Sequence, residues 1–148
     1  MKLPFLIGRV LFGGFFLYNG INHFRQRATL TKYAASKGVP APDVAVAISG
    51  ALLIAGGASI LAGVKPKIGA AAVSAFLSGV SPVMHDFWRV DNAGQKMNEM
   101  INFTKNLALL GGTLALLSVT EPWPASLPVG QPRRMEGVRR ELRQRLGL

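Results

Sequence analysis

The stretch Val44-Ala45-Val46-Ala47-Ile48-Ser49-Gly50-Ala51-Leu52-Leu53-Ile54-Ala55-Gly56-Gly57-Ala58-Ser59-Ile60-Leu61-Ala62-Gly63-Val64 carries no charge and is apolar or small on every side. A helix crossing about 30 Å of hydrocarbon needs roughly 20 such residues, because each backbone N–H and C=O must be satisfied within the segment. A soluble amphipathic helix would show a polar stripe at helical spacing, and this run has none. Three more segments share its character: Leu3–Phe24, broken only by Arg9; Ile68–Met84, uncharged; and Met100–Thr120, with Lys105 inside. The sequence therefore predicts an all-α, membrane-embedded four-helix transmembrane bundle over residues 1–120. A Pro-rich turn and a basic amphipathic C-terminal tail follow over 121–148.

Composition agrees with this reading. Of 148 residues 49% are hydrophobic and 16% charged, too apolar for a typical soluble enzyme of this length. The 17 Lys and Arg against seven Asp and Glu sit between and after the apolar runs, so the net +10 reads as membrane flanks and not as a nucleic-acid footprint. Without cysteine there is no disulfide, thiolate metal site or CxxC pair. Leu3–Phe24 is longer than a signal-peptide core and lacks a small-residue cleavage site, so it is expected to be retained.

The connections read as a basic loop from Arg25 to Asp43, a tight Lys65-Pro66-Lys67 turn, and a polar stretch from Trp88 to Glu99. Pro122 and Pro124 stop the last helix, and Trp123 suits the headgroup region. An even number of crossings puts both termini on one face. The tail arginines Arg133, Arg134, Arg139, Arg140, Arg143 and Arg145 favour the anionic cytoplasmic leaflet for that face, at about 1 kcal/mol per basic residue. Met135, Val138, Leu142 and Leu146 recur at helical spacing among them, so the tail reads as a membrane-surface helix or a docking segment for an acidic partner. Small residues recur every four positions at Ala47, Ala51, Ala55, Ser59 and Gly63, at Ala71, Ala75 and Gly79, and at Gly111 and Ala115. They are read as packing surfaces within the chain or between copies of it, so a homo-oligomer stays open.

The polar side chains are predicted to gather at one depth. Asn19, Asn22 and His23 share a face at the non-terminal end of the first helix. His85, Asp86 and Trp88 end the third helix at that level, and Asn98, Asn102, Lys105 and Asn106 stripe the start of the fourth. Ionisable groups in a membrane carry a penalty of a few kcal/mol unless paired or hydrated, which makes this convergence the candidate site. Lys105 is read as snorkelling to the interface or pairing with Asp86. His23 and His85 are open to three roles: interfacial hydrogen bonding, a proton-transfer pair, or axial or metal ligation. Two histidines without a carboxylate or cysteine triad are too weak a set for a metal site to be assigned. Pro82, with Gly79 nearby, is placed to bend the third helix beside them.

Gly8-Arg9-Val10-Leu11-Phe12-Gly13 and Phe16-Leu17-Tyr18-Asn19-Gly20-Ile21-Asn22-His23-Phe24 resemble the first helix of the DoxX family of small bacterial membrane proteins. Lys37-Gly38-Val39-Pro40-Ala41-Pro42, Ser49-Gly50 through Gly56-Gly57, His85-Asp86-Phe87-Trp88 and Asn102 through Gly112 resemble its later blocks, so that the likeness spans roughly 5 to 118. It implies a four-helix protein of the bacterial cytoplasmic membrane within the DoxD-like group, which is named for a thiosulfate:quinone oxidoreductase and includes members of redox and thiol-stress complexes. Only His85, Asp86, Trp88, Lys105 and Asn106 carry over as family positions. Many members hold an acidic residue in the second helix where Ala51, Leu52, Leu53 and Ile54 stand here. The expectation is a membrane subunit or anchor of a quinone-linked or thiol-stress redox complex, with lipid and redox enzyme subunits as partners. A quinone is the one cofactor left open, haem is disfavoured, and catalysis is left undecided. A small-solute transporter or lipid-binding bundle and a scaffold acting through the tail are the rivals.

Overall fold

A computed structural model describes residues 3–127, 129 and 143–147. Its helices are α1 (Leu3–Arg25), α2 (Arg27–Ser36), α3 (Pro42–Ala62), α4 (Pro66–Met84) and α5 (Ala93–Leu117), with a 3₁₀ turn at Phe87–Arg89 before α5. No strand occurs among the described residues. Helices α1, α3, α4 with its 3₁₀ extension, and α5 are the four long and apolar enough to cross a membrane. The protein is an all-α transmembrane bundle.

Local chemistry sets the ends of these rods. Pro42 and Pro66 open α3 and α4, where a missing N–H is harmless. Gly63, at φ 67°, closes α3, and the Val64 N–H reaches back 3.2 Å to the Ser59 carbonyl. The Ser59 hydroxyl donates to the carbonyls of Val64 (2.7 Å) and Lys65 (3.0 Å), which fixes the tight turn into α4.

Two connections differ from expectation. The span Arg25–Asp43 is not a plain loop, since it folds into α2, which lies on α3 and is tied to its start by the Arg27 guanidinium gripping Asp43 at 2.7 and 2.5 Å. The last helix begins at Ala93 and not at Met100. Asn92 caps it by accepting the Gln95 N–H at 3.0 Å, so the polar run before Glu99 continues the rod beyond its apolar stretch.

Helix α3 is central, with α1 on one side and α4 on the other, while α5 packs on α4. Contact between α1 and α3 is backbone to backbone. A Cβ at Gly20 would lie 2.6 Å from the Ile54 nitrogen, and one at Gly57 would strike the Leu17 nitrogen. Of the expected small-residue ladders, Ala51, Ala55, Ala71, Ala75, Gly79, Gly111 and Ala115 are exposed, whereas Gly63 is buried and Ser59 packs against Gly69 of α4. Glycines 50 and 57 allow the closest approach to α1, so alanine faces turn outward. Between α4 and α5, Ser74 donates to Thr113 at 2.7 Å, and Thr113 is fully buried.

At the terminal end residues 121–127 fold back onto the bundle. Trp123 is buried in the core, where its ring meets Phe5 edge-on at 5.4 Å. Leu127 N–H donates to Ala62 O at 3.0 Å. Arg9 is buried and donates to the carbonyls of Pro124 (2.6 Å) and Ala125 (3.0 Å), while its Nε has no partner among the described residues. In the tail, Arg143 and Arg145 are exposed, whereas Arg133, Arg134, Arg139 and Arg140 lie outside the described residues.

Candidate functional site

At the opposite end, the ends of α2 and α4 and the start of α5 converge on a shell of charged and hydrogen-bonding groups. Lys37, just past α2, places Nζ 2.7 Å from Asp86 and 3.8 Å from Glu99. Glu99 accepts from His85 Nδ1 at 2.7 Å through one oxygen, and its other oxygen lies 3.1 Å from the Tyr33 hydroxyl. That hydroxyl also lies 3.2 Å from the Met84 carbonyl. Lys37, Asp86, His85 and Glu99 are each less than one-fifth exposed, so these bonds are sheltered from solvent competition more than surface pairs are. The bond to Asp86 raises the Lys37 ammonium above its ordinary range. Burial, followed by the Glu99 charge, raises the Tyr33 phenol.

Beneath this shell is a cavity of about 270 Å³ with Asn19, His23, Tyr33, His85 and Asn106 among its lining residues. It adjoins a larger, mostly apolar cavity of about 360 Å³ between α2, α3 and α4, since His23, Leu30, Phe76, Val80 and Met84 line both. His23 Nδ1 lies 2.8 Å from the backbone carbonyl of Asn19. A carbonyl can only accept, so Nδ1 carries a proton there. His85 is held in the same sense by the Glu99 carboxylate. Two imidazoles from different spans thus border one cavity, and neither Nε2 has a partner among the described residues.

The structure brings Asn19, His23, His85 and Asn106 together at this cavity and puts Asp86 in the shell above. The other sequence candidates lie elsewhere. Asn22 accepts from Gln26 at 3.1 Å. Trp88 is half exposed and stacks edge-on with Phe87 and Phe103. Asn102 does not line the cavity. Lys105 is exposed on α5, and Asp86 takes Lys37 as its partner, so the Lys105–Asp86 pair does not form. Among the described residues no group of three or more His, Cys, Asp or Glu could hold a metal.

A family model described as DoxX matches residues 5–86. The chain belongs to the DoxX family. No curated protein and no solved structure matches it. The matched DoxX segment covers α1 to the end of α4 and stops at Asp86, so it contributes His23, Tyr33, Lys37 and His85, while Glu99 and Asn106 come from beyond it.

Reading of the sequence alone missed Tyr33, Lys37 and Glu99. A signal for them exists. Tyr33 and Lys37 are four residues apart, one helical turn, and Glu99 stands seven residues before Asn106, two turns along the same face.

Proposed function

We propose that this DoxX-family protein is the membrane subunit of a quinone-linked redox complex and binds the quinone headgroup in the cavity bordered by His23 and His85. One observation carries the reading: two imidazoles on separate spans line a single cavity that adjoins a larger, mostly apolar one. Ligand pockets in general are mostly apolar with a few convergent polar groups. A lipophilic molecule with a small polar ring matches that division, with His23 and His85 meeting the ring oxygens and the apolar chamber taking the hydrocarbon. When bound, such a group would supply the electron chemistry; the chain supplies hydrogen bonds and a water-poor chamber. The protein resides in the bacterial cytoplasmic membrane with both termini cytoplasmic, an orientation supported by the arginine-rich tail.

Purification of the whole chain in mild detergent, with mass spectrometry of extracted lipids and of co-purifying proteins, tests this. A quinone at near one per chain and an oxidoreductase among the partners are expected, and His85→Ala should lower quinone retention at least about tenfold, the loss of a buried polar contact. Preparations free of quinone that also fail to bind an added short-tailed benzoquinone would overturn the reading.

A further inference from the structure

Resting on the quinone reading, we infer that the ligand enters and leaves sideways from the hydrocarbon layer, through a mouth between α3 and α4 framed by Leu52, Ala75, Gly79 and Val83, and that its tail occupies that mouth while bound. These four residues line the larger, mostly apolar cavity and are nevertheless exposed on the outside of the bundle. All four belong to membrane spans, so the medium that meets them is lipid and not water. On α4 they recur at every fourth position, along one face of the helix. Leu52 is ten residues past Pro42 and Ala75 nine before Met84. At ~1.5 Å per residue the deep end of the mouth lies about 15 Å along either helix, near the middle of a hydrocarbon layer of about 30 Å.

The way to water is covered instead. Leu30 and Ala34 come from α2, which lies outside the four spans and covers the same cavity where α3 begins and α4 ends. That helix is tied down on both sides: Arg27 grips Asp43 at the start of α3, the Tyr33 hydroxyl lies 3.2 Å from the Met84 carbonyl, and Lys37, just past α2, holds Asp86. Nothing comparable closes the side. A Cβ added at Gly79 would meet no atom within 4 Å, and Ala75 one turn away carries only a methyl. Lipid tails are as apolar as the cavity wall, so a hydrocarbon chain crossing the mouth exchanges one apolar surround for another. Leaving past α2 would drag that chain into water. His23 lines both cavities and marks where the chamber for the tail meets the chamber for the ring. The site thereby selects a ring that carries a tail, and takes it from the membrane pool and not from solution.

The test uses the full chain reconstituted in phosphatidylcholine vesicles. The probe is a benzoquinone whose decyl tail ends in a diazirine, and a phosphatidylcholine carrying the diazirine on an acyl chain serves as the second arm. After illumination, cross-linked residues are located by mass spectrometry with and without excess unlabelled quinone. Cross-links that the excess displaces are expected within 49–52 and 75–83. Gly79→Phe should cut them at least about fivefold, the low end of what overfilling a packed space costs. Gly111→Phe, at an equally open glycine that lines neither cavity, should leave them unchanged. The wild-type map needs no variant, so a misfolded Gly79→Phe leaves it decisive. Displaceable cross-links confined to other faces of the bundle, full labelling of a folded Gly79→Phe protein, or lipid cross-links in the mouth that excess quinone fails to reduce would each overturn the inference and spare the quinone reading. No displaceable cross-link anywhere would overturn that reading and the inference with it.

Discussion

The two ends of the bundle solve the problem of polar groups in lipid in opposite ways. At the terminal end one buried cation, Arg9, is held by two backbone carbonyls and has no carboxylate within ion-pair range among the described residues. At the other end Lys37, Asp86, Glu99, Tyr33 and His85 form a network in which every member can gain or lose a proton, and a cavity lies beneath it. Carbonyl dipoles hold a charge without titrating. The first arrangement is suited to fixing structure, and the second to exchanging protons with a ligand.

The sharpest way to break the contrast is Arg9→Met. It removes two charge-assisted hydrogen bonds to the Pro124 and Ala125 carbonyls, for an expected loss of about 3 kcal/mol in stability, read as a lowered melting temperature in detergent and as protease cutting within 121–127. Probe binding at the far cavity should change less than about twofold, within the scatter of a distant, uncoupled site. A large loss of binding would mean the ends are not independent. Glu99→Ala comes next. It strips acceptors from His85 and Tyr33 and should lower stability by about 1–2 kcal/mol, read as a lowered melting temperature in detergent.

A smaller effect is expected in alkali. Lys37 and Tyr33 both hold their protons more tightly in the folded protein than in the unfolded chain. Such groups contribute stability that is complete below the unfolded values, near 10 and 10.5, and is lost as pH rises through the folded ones. Melting temperature should therefore decline above about pH 10, and the decline should flatten in a Tyr33→Phe, Lys37→Met double variant. Least of all, Arg27→Ala removes an exposed pair with Asp43 and should leave the melting temperature nearly unchanged. Lys105→Ala, which touches neither end's network, should leave melting and probe binding within error.

The spans were legible because hydropathy over twenty-odd residues depends on solvent alone, and Val44–Val64 admits no other reading. The depth of the site was legible for the same reason, since antiparallel rods of known rise put His23, His85 and Asn106 at one level. Partners within that level were not. Tyr33 lies in α2 and Lys37 just past it, and the short mixed pattern of that helix reads as a loop until α3 lies beneath it. Glu99 fell in a stretch judged too polar for the helix, although Asn92 extends α5 back to Ala93. Lys105 shares its depth with the cavity but not its azimuth, and a rotation about the helix axis is set by packing that composition does not encode.

The Arg9 clasp also bears on how the polypeptide is made. Its acceptors lie 115 and 116 positions downstream, so during synthesis the opening rod enters the bilayer long before its guanidinium can be neutralised by them. Until the last rod and its returning segment emerge, that cation must stay near water or in the insertion machinery. Closure of the bundle thereby waits on residues 124 and 125, and a nascent fragment ending short of them would leave the bilayer with an unquenched charge for quality control to find.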